Sequence, residues 1–584
     1  SSLSSTEPSG PERPLSADDP ERSIQRILPP DAPAVIIGGG PAGITLAIAM
    51  AMRGQEVWVI ERGTWPKDKV CGEGLMPTGV EALKRLGVFD KIASDMQHPF
   101  RGIAWVDDTG ARAEADFGEG QGMGVRRLGL SRALIARAEE LEGIHLVSGA
   151  RLTDVAHEPD CVRIEVEINH RVRTVRTKLL VAADGLRSLV RRALELDGPA
   201  PVKQRRWGAR QHFTVAPWSE HVEVYWAEGV EAYVTPSSTD RVEIAFLWDE
   251  DRFELPLKGT RMIEGLLSCF PELETRLEDC ESESRAASTG PLARAALTPI
   301  QDRVVLIGDA LLYLDGITGE GISVAVLASE AIAPQLVERL ETDSLSEVEL
   351  KPVADTLEEI YDESFRMTHL ALLLTRNTGL RRTVIHGMSR SPSLMTHFLE
   401  ANMARVRPWD MPLGGVLRFL AGTVLPRGAP LAGLLPWIAV GMLALGMRLW
   451  MHWALDLRDL PGPAASITLI RAWMEPVQIQ WDVQMISAIQ SVAGSVELAG
   501  WVASMLGSMA QVAGASLLAW ALLGRAAGLG AGVVAALWSM CIHDALILGA
   551  NPIATGLAWL GVGLCMAGVS TGRRGLLLVI GGAL

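Results

Sequence analysis

The chain has 584 residues and a formal net charge of −15 at pH 7. This acidic balance argues against a nucleic-acid partner, and the six scattered cysteines give neither a disulfide framework nor the spacing of a zinc site. The segment 430–584 holds only six Arg and six Asp or Glu. The composition therefore predicts a soluble region joined to a membrane region, and it excludes a fibrous, wholly disordered or purely secreted protein.

Residues 1–32 are rich in Ser, Pro, Glu and Asp, and they contain no apolar run. We interpret them as a disordered tail. Because they lack the hydrophobic stretch of a signal peptide, we expect the domain that follows to stay in the cytoplasm.

A βαβ unit opens the folded region, which we predict to span 33–340. A short apolar strand at 34–37 is followed by a helix that extends to residue 52, and a second strand at 57–60 leads into Glu61 and Arg62. The loop between the first strand and the helix reads Gly38-Gly39-Gly40-Pro41-Ala42-Gly43. Its glycines allow a tight turn close to a pyrophosphate, and a carboxylate at Glu61 suits a ribose. The pattern predicts dinucleotide binding, with FAD and NAD both open at this point.

Alternation of polar and apolar residues predicts strands over about 144–183 and 205–250. We predict an antiparallel substrate sheet, inserted into the nucleotide-binding domain at about 96–125 and 201–290. A helical pattern dominates 341–429, and 430–584 has the composition of transmembrane helices. The expected fold is an α/β Rossmann-type FAD-binding domain with an inserted antiparallel sheet, followed by an all-α transmembrane domain.

Two later motifs favour FAD over NAD. An apolar strand ends in Gly308-Asp309, and Gly319-Glu320-Gly321-Ile322 opens a helix. With these motifs the sequence resembles, over about 33–425, the FAD-dependent oxidoreductases related to p-hydroxybenzoate hydroxylase and geranylgeranyl reductase. The resemblance implies that Asp309 holds the flavin ribityl chain and that the helix after Gly319 faces the flavin pyrimidine. It also implies FAD contacts from two further motifs, which contain Arg127 and Asp184-Gly185.

The segment Cys71-Gly72-Glu73-Gly74 resembles a Cys-Gly-(Glu/Asp)-Gly segment that lies beside the flavin in geranylgeranyl reductases. The resemblance implies that Cys71 and Gly72 contact FAD. Cys71 is a candidate catalytic residue, and the alternative is that it only packs.

Geranylgeranyl reductases carry Tyr-x-Trp-x-Phe-Pro in the substrate sheet, whereas residues 231–236 read Glu-Ala-Tyr-Val-Thr-Pro. Only the proline is kept. Tyr233 stands where the tryptophan would be and is the second catalytic candidate. His212 and His221 are candidate acids or bases, with a packing role as the alternative. The sequence shows no metal-ligand constellation.

Because the Tyr-x-Trp-x-Phe-Pro motif of the reductases is absent, we expect hydroxylation and not reduction of a double bond. We expect a membrane-tethered FAD-dependent monooxygenase that acts on a hydrophobic small molecule, such as a phenolic or polyketide lipid. Reduction or dehydrogenation of an isoprenoid-like lipid is the alternative, and a non-catalytic redox sensor is the rival from another class. Because no second glycine fingerprint follows a strand, NAD(P)H would bind transiently or act through a separate reductase.

Four membrane spans are predicted, at about 430–450, 498–524, 526–544 and 547–570. Because the number of predicted spans is even, both ends of the chain are expected on the same side of the membrane, the cytoplasmic side. Arg525, Arg573 and Arg574 then also lie on that side, as positively charged residues usually do. The tail faintly resembles four-helix DoxX-like membrane proteins, and a plain membrane anchor is the alternative.

Overall fold

The computed structural model describes residues 28–202, 205–408 and 410–424. The four predicted membrane spans and nearly all of the predicted N-terminal tail lie outside these described residues. The strands are β1 Asp31–Ile37, β2 Val57–Ile60, β3 Gly74–Leu75, β4 Gln97–Phe100, β5 Gly102–Val106, β6 Arg112–Asp116, β7 Gly122–Val125, β8 Ile144–Val147, β9 Ala150–His157, β10 Val162–Ile168, β11 Arg171–Ala182, β12 Arg206–Thr214, β13 His221–Trp226, β14 Val230–Ser238, β15 Arg241–Asp249, β16 Ala287–Thr289, β17 Arg294–Ala295, β18 Ile300–Gln301, β19 Val304–Leu306 and β20 Leu312–Tyr313.

Within the described residues, six helices lie among the strands, and five follow the last strand, β20. They are α1 Pro41–Ala51, α2 Pro77–Arg85, α3 Arg127–Glu139, α4 Leu189–Ala193, α5 Met262–Leu267, α6 Pro271–Leu277, α7 Gly321–Glu341, α8 Glu347–Arg376, α9 Thr378–Ser389, α10 Pro392–Asn402 and α11 Leu413–Val424.

The first sheet has the order β18-β19-β11-β1-β2-β8, with β10 and β9 extending from β11. Strands β19, β11, β1, β2 and β8 run parallel to their neighbours in this order. The ends of its central strands, 34–37 in β1 and 179–182 in β11, are apolar and buried, as is usual for strands inside a parallel sheet. Helices α1 and α7 pack against each other, and nearly all of α1 is buried. This is a Rossmann-like α/β arrangement.

The second sheet has the order β16-β12-β15-β14-β13-β5-β6. Strands β12, β15, β14 and β13 are antiparallel neighbours. The sheet draws its strands from 102–116 and 206–289, within the two segments for which we predict a substrate sheet. A smaller three-stranded sheet, β3-β7-β4, lies against β14, where Gly124 approaches the Pro236 carbonyl so closely that a Cβ would clash at 1.7 Å.

The described residues divide into two compact units: 28–104, 115–202, 205–372 and 398–408 form the first, and 105–114, 373–397 and 410–424 form the second. In the described part of the second unit, α9 and α11 pack closely because Gly387 and Gly422 face each other. Arg382 on α9 forms an ion pair with Asp108.

One helix within the described ranges, Gly321–Glu341, is long and apolar enough to cross a membrane. Half of its most apolar window is buried inside the protein, where the helix packs against α1 and α2. The position of α7 is therefore that of a core helix.

Candidate active site

The predicted cofactor motifs meet at one edge of the parallel sheet. Strands β1, β2, β11 and β19 end at Ile37, Ile60, Ala182 and Leu306, and the register pairs these last residues with one another. The segments that follow carry Gly38, Glu61, Asp184 and Asp309. Ligands bind outside the carboxyl ends of the strands in open α/β sheets, so motifs as far apart in sequence as Gly38 and Asp309 share one crevice edge.

The three glycines of the first loop have different physical tasks. Gly38 has φ of +110°, and a Cβ there would lie 2.2 Å from the Ala183 carbonyl oxygen. A Cβ at Gly43 would lie 2.0 Å from the Gly38 carbonyl oxygen. A Cβ at Gly40 would meet no atom within 4 Å. Gly38 and Gly43 therefore permit close packing, whereas Gly40 keeps open the space in front of α1.

Helix α1 begins at Pro41, with Gly40 as its N-cap and no side chain capping its first turn. The free backbone N–H groups and the positive end of the helix dipole consequently point into the space that Gly40 leaves open. Such a helix end is an anion-binding arrangement. Arg62, also predicted for this site, is exposed.

Glu61 is a buried, charged residue that ties the first two strand ends together. Its Oε2 accepts a hydrogen bond from the Gly39 N–H at 2.9 Å, and its Oε1 accepts one from the Gly63 N–H at 2.8 Å. Lys67 Nζ lies 2.7 Å from the same Oε1. Burial alone would raise the pKa of Glu61, but the hydrogen bond and charge of Lys67 and the two backbone N–H groups outweigh it, so the pKa is lowered. The Glu61 carboxylate thus fixes the glycine-rich loop 38–43 through Gly39, in addition to any hydrogen bond that it makes to a ribose.

We expect Glu61→Gln to destabilise the apo-protein by about 1–3 kcal/mol at neutral pH, since hydrogen bonds to a charged acceptor are lost. The folded-state pKa of Glu61 lies below its ordinary value of 4.5, so the stabilisation is present above that value and is lost as pH falls through the folded-state pKa. Urea unfolding at neutral and acid pH measures this effect. The difference in the free energy of unfolding between wild type and Glu61→Gln should become smaller as the pH falls. The half-exposed Glu56→Gln is the control, and equal effects from both variants would contradict this role.

Asp184 and Asp309 lie on the neighbouring strand ends. Asp184 Oδ2 accepts a hydrogen bond from the Leu189 N–H at 2.6 Å, whereas its buried Oδ1 has no hydrogen-bond partner in the protein. Burial raises the pKa of Asp184. Asp309 is partly exposed, and its Oδ2 lies 3.2 Å from Lys69 Nζ. The site therefore offers two aspartates with oxygen atoms available to hydroxyl donors.

Buried Arg191 holds these two loops together. Its guanidinium donates to the Leu186 carbonyl at 3.1 Å and to the Ala310 carbonyl at 2.8 Å. The Gly308 N–H donates to the Tyr361 hydroxyl at 2.7 Å. Each loop is thus fixed by a buried side chain from another element. Gly185, between them, lies close to Lys69.

The second helix end of the site is that of α7. Gly319 has φ of +69°, Glu320 is the buried N-cap, and Gly321 and Ile322 form the exposed and half-buried start of the helix. No side chain caps this turn. The positive end of the α7 dipole is suited to a group that gains negative charge on reduction.

The segment 71–74 lies between the cofactor edge and the substrate sheet. The Gly72 carbonyl accepts a hydrogen bond from Thr235 Oγ1 at 2.9 Å, and Glu73 has a left-handed φ of +53°. The Arg127 N–H donates to Glu73 Oε1 at 2.6 Å. Burial raises the pKa of the Cys71 thiol, which keeps Cys71 a neutral thiol at pH 7. Burial also lowers the pKa of Arg127.

One face of the substrate sheet is polar although it is buried. Residues opposite one another on adjacent strands share a face, and the register places on this face Arg206, Arg210, His212, Glu231, Tyr233, Thr235 and Glu243. The other face carries apolar residues such as Phe246, which contacts Phe270 before α6. Since Thr235 contacts Gly72, the polar face is the one that faces the 71–74 segment.

A buried ion network occupies one end of the polar face. Arg206 Nη2 lies 2.6 Å from Glu231 Oε2, and its Nε lies 2.7 Å from Asp315 Oδ2. Burial alone would lower the pKa of Arg206, but the charges of Asp315 and Glu231 raise it. The Tyr233 hydroxyl donates to the Ile317 carbonyl at 3.3 Å, and burial raises its pKa. Tyr233 is therefore held neutral as a hydrogen-bonding group.

A second buried cluster lies at the other end of the face and joins it to Glu73. His212 Nε2 lies 2.9 Å from Glu73 Oε2, and Arg210 Nη1 lies 3.2 Å from His212 Nδ1. Glu243 stands opposite both His212 and Thr235 in the register. His221, the other histidine candidate, instead contacts Asp116 at 2.8 Å.

No role is predicted from the sequence for Glu73, Arg206, Arg210 or Glu243. A signal is nevertheless present in the sequence, since the charged residues at 206, 210, 231 and 243 each have an apolar neighbour within a predicted strand. Charged residues are almost never fully buried unless paired. Charged residues at alternate positions along these strands therefore indicate a polar face that the strands share.

The residues present fit FAD. Two uncapped helix ends suit the pyrophosphate and the flavin ring, Gly40 leaves room where a side chain would intrude, and Asp184 and Asp309 offer acceptor oxygens. Bound there, FAD would supply two-electron redox chemistry. Within the described residues, one group of three side chains with metal-ligand atoms lies close together: Glu73, His212 and Glu243.

Comparison with known proteins shows relatives among flavoenzymes. The chain is 28% identical over 371 residues to menaquinone reductase of Mycobacterium tuberculosis, which covers 59% of this chain and 84% of that protein. It is also 28% identical over 345 residues to digeranylgeranylglycerophospholipid reductase 1 of Methanopyrus kandleri, covering 57% and 87%. The crystal structure of p-nitrophenol 4-monooxygenase from Pseudomonas putida shares the fold, with a TM-score of 0.56, 17% identity, and coverage of 65% and 99%.

The family model described as FAD binding domain matches residues 31–346, which is more than half of the chain. The matched region contains the aligned strand ends, both uncapped helix ends and the substrate sheet. The chain belongs to the FAD binding domain family of FAD-dependent oxidoreductases.

Proposed function

We propose that the protein is an FAD-dependent reductase of a carbon–carbon double bond in a hydrophobic molecule that carries a polar group. The observation that carries the proposal is the 71–74 segment, which lies between the cofactor edge and a buried polar sheet face. Apolar surroundings with a few placed polar groups are the usual character of a small-molecule site. The curated relatives at 28% identity, both reductases by name, support reduction.

Hydroxylation, which the sequence analysis favours, is the second candidate. It is supported by the polar substitutions in the reductase motif, since Glu231 pairs with Arg206 instead of lining an isoprenoid channel as an aromatic side chain would. Such a face suits a phenolic substrate. We rank hydroxylation second because a monooxygenase relative, kynurenine 3-monooxygenase of Salinispora arenicola, is 25% identical over 391 residues, whereas the two reductases are 28% identical.

NAD(P)H is proposed as the electron donor, acting transiently or through a separate reductase. We further propose that the segment 430–584 tethers the enzyme to a membrane, with the FAD domain in the cytoplasm, because the long uncharged runs of this segment suit a bilayer. Substrate would then enter from the lipid phase.

The product's mass tests the reaction. Membranes containing the protein are incubated with NAD(P)H and a lipid extract, and new products are identified by mass spectrometry, with an Asp309→Ala protein as the control. A gain of two hydrogens supports reduction, whereas a gain of one oxygen supports hydroxylation. Absence of any product under every donor would favour the non-catalytic sensor.

Replacing Cys71 tests its part in the site. Because Cys71 is a neutral, partly buried thiol whose Sγ accepts a long 3.3 Å contact from the Glu73 N–H, we expect Cys71→Ala to retain FAD and to change turnover at least tenfold. Flavin absorbance and steady-state rates measure both quantities. Cys280→Ala, at a half-buried thiol outside the site, is the control. Wild-type turnover in Cys71→Ala would leave Cys71 a packing role alone.

A further inference from the structure

The cluster formed by Glu73, His212 and Glu243 carries the strongest unassigned chemistry in the described part of the chain. All three side chains are buried, and one ligand-type atom from each lies within 4.8 Å of the others. They come from two strands of the substrate sheet and from the segment beside Cys71. Neither packing nor the cofactor site requires two carboxyl groups and an imidazole here.

The hydrogen bonds determine where the His212 ring proton lies. Arg210 can only donate, and its Nη1 lies 3.2 Å from His212 Nδ1. Ser284 Oγ accepts the His212 backbone N–H at 3.0 Å and lies 2.9 Å from Nδ1, so its hydroxyl also donates to Nδ1. The ring proton is therefore on Nε2, and it is donated to Glu73 Oε2 at 2.9 Å. Glu73 is consequently the acceptor of this bond.

Glu243 differs from Glu73. It is fully buried, and neither carboxyl oxygen has a hydrogen-bond partner in the protein. The charged or titratable groups that face it are Glu73, His212, Cys71, Arg210 and Asp68. Of these, Arg210 favours ionisation of Glu243, with its Nε 3.7 Å from Glu243 Oε1. Burial and the neighbouring acids raise the pKa of Glu243 well above its ordinary value.

We propose that Glu243 is a stored acid that protonates the substrate beside Cys71, and that Ser284, His212 and Glu73 return a proton to it from solvent. This inference rests on the proposed reductase function. Ser284 is partly exposed and its neighbours in sequence are exposed, so it provides the outer end of the route. His212 can take a proton at Nδ1 while releasing the one at Nε2.

Reduction of a double bond adds two electrons and two protons, and it forms two C–H bonds. Reduced FAD would supply both electrons together with one hydrogen, as a hydride to one carbon, and the nicotinamide donor would reduce the oxidised FAD again. In the step assigned here, the O–H bond of Glu243 breaks and a C–H bond forms at the other carbon of the double bond. Glu243 remains as a carboxylate. A solvent proton then passes through the hydrogen-bonded Ser284, His212 and Glu73. Its last transfer, from Glu73 to Glu243, crosses a gap of up to 4.8 Å without a direct hydrogen bond, so the two carboxyl groups must approach each other to restore the acid.

The same three side chains suit a metal ion less well. Arg210 places a permanent positive charge at His212 Nδ1 and near Glu243. Glu73 already accepts from the Arg127 N–H and from His212. A divalent cation would have to displace these bonds next to a guanidinium.

Infrared spectroscopy of the FAD-loaded protein at neutral pH tests the stored proton without any substrate. We expect a carbonyl-stretch band of a protonated carboxylic acid that shifts in D₂O and is absent from Glu243→Gln. Because Gln has the shape and neutrality of the protonated acid, this variant should fold. Glu223→Gln, at a buried carboxyl group elsewhere on the sheet that pairs with Tyr225, should keep the band. A missing wild-type band would overturn the proposal, as would stoichiometric binding of added Zn²⁺ that His212→Gln abolishes.

Single-turnover reduction then tests delivery of the proton. The wild-type rate should fall at high pH as Glu243 ionises. The Glu243→Gln rate should be at least tenfold lower than that of wild type, and it should not show this fall at high pH. An unchanged rate and profile in Glu243→Gln would overturn delivery. If the band is present but no double bond is ever reduced, the proposed function fails while the stored acid stands.

Discussion

Replacing Gly40 with aspartate is expected to abolish FAD binding while leaving the apo-protein as stable as wild type. Gly40 is the N-cap of α1 in extended backbone, and its missing Cβ faces open space. Aspartate is among the best N-cap residues, so the fold loses nothing locally. A carboxylate placed where the pyrophosphate binds repels it, and at about 4 Å with an effective dielectric constant of about 20 this costs on the order of 4 kcal/mol. Affinity should fall at least a hundredfold.

Gly40→Asn is the matched control, since it has the same size and capping ability without the charge. It should weaken binding less than Gly40→Asp, and the difference between the two isolates the electrostatic part. Thermal unfolding of the apo-proteins and fluorescence titration with FAD measure stability and affinity separately. Full FAD occupancy in Gly40→Asp would remove the α1 terminus from the binding site.

Arg206→Met should destabilise the protein by about 3–5 kcal/mol, the second large effect. Arg206 is the shared cation of two buried carboxylates, Glu231 and Asp315, and its removal leaves their charges uncompensated. Met fills a similar volume, so the loss is electrostatic. The neighbouring Arg205 is 61% exposed and pairs with Glu250. Arg205→Met is the control, with an expected change within about 0.5 kcal/mol.

The Arg206→Met defect should depend on pH in a defined direction. Without the guanidinium, both carboxyl groups stay buried with uncompensated charge, and protonation of the folded variant relieves this cost. The folded variant then binds more protons than the unfolded chain, so its stability falls as pH rises through the range in which these protons are released. Urea unfolding should therefore show the smallest defect at acid pH. A defect that is independent of pH, or one equal to that of Arg205→Met, would contradict the ion network.

The cofactor edge could be predicted from sequence because its signals are local. Gly38, Gly40 and Gly43 stand at fixed spacing between a strand and a helix, and Asp309 ends another apolar strand. Parallel strands place their carboxyl ends together, so local motifs are enough to bring Glu61 and Asp309 to one edge. The prediction for Glu61 was incomplete because its bonds to Gly39 and Gly63 depend on how the two loops meet.

The polar sheet face could not be predicted in the same way. Whether Glu243 faces His212 depends on the pairing register of β15 with β12, and a shift by one residue would place it on the apolar face. Glu73 reaches this cluster from 139 residues away. Such contacts are decided by long-range packing, whereas the charged residues themselves are visible at alternate positions of the strands.

Reoxidation of the reduced protein tests directly whether it is a double-bond reductase. The FAD-loaded protein is reduced under strict exclusion of oxygen and mixed with lipid extract, with and without unsaturated isoprenoid molecules, while flavin absorbance is followed. We predict that the oxidised flavin spectrum returns only with the unsaturated lipid, in step with a product that has gained two hydrogens. A flavin that stays reduced with every lipid, and is reoxidised only when oxygen is admitted, would contradict a reductase.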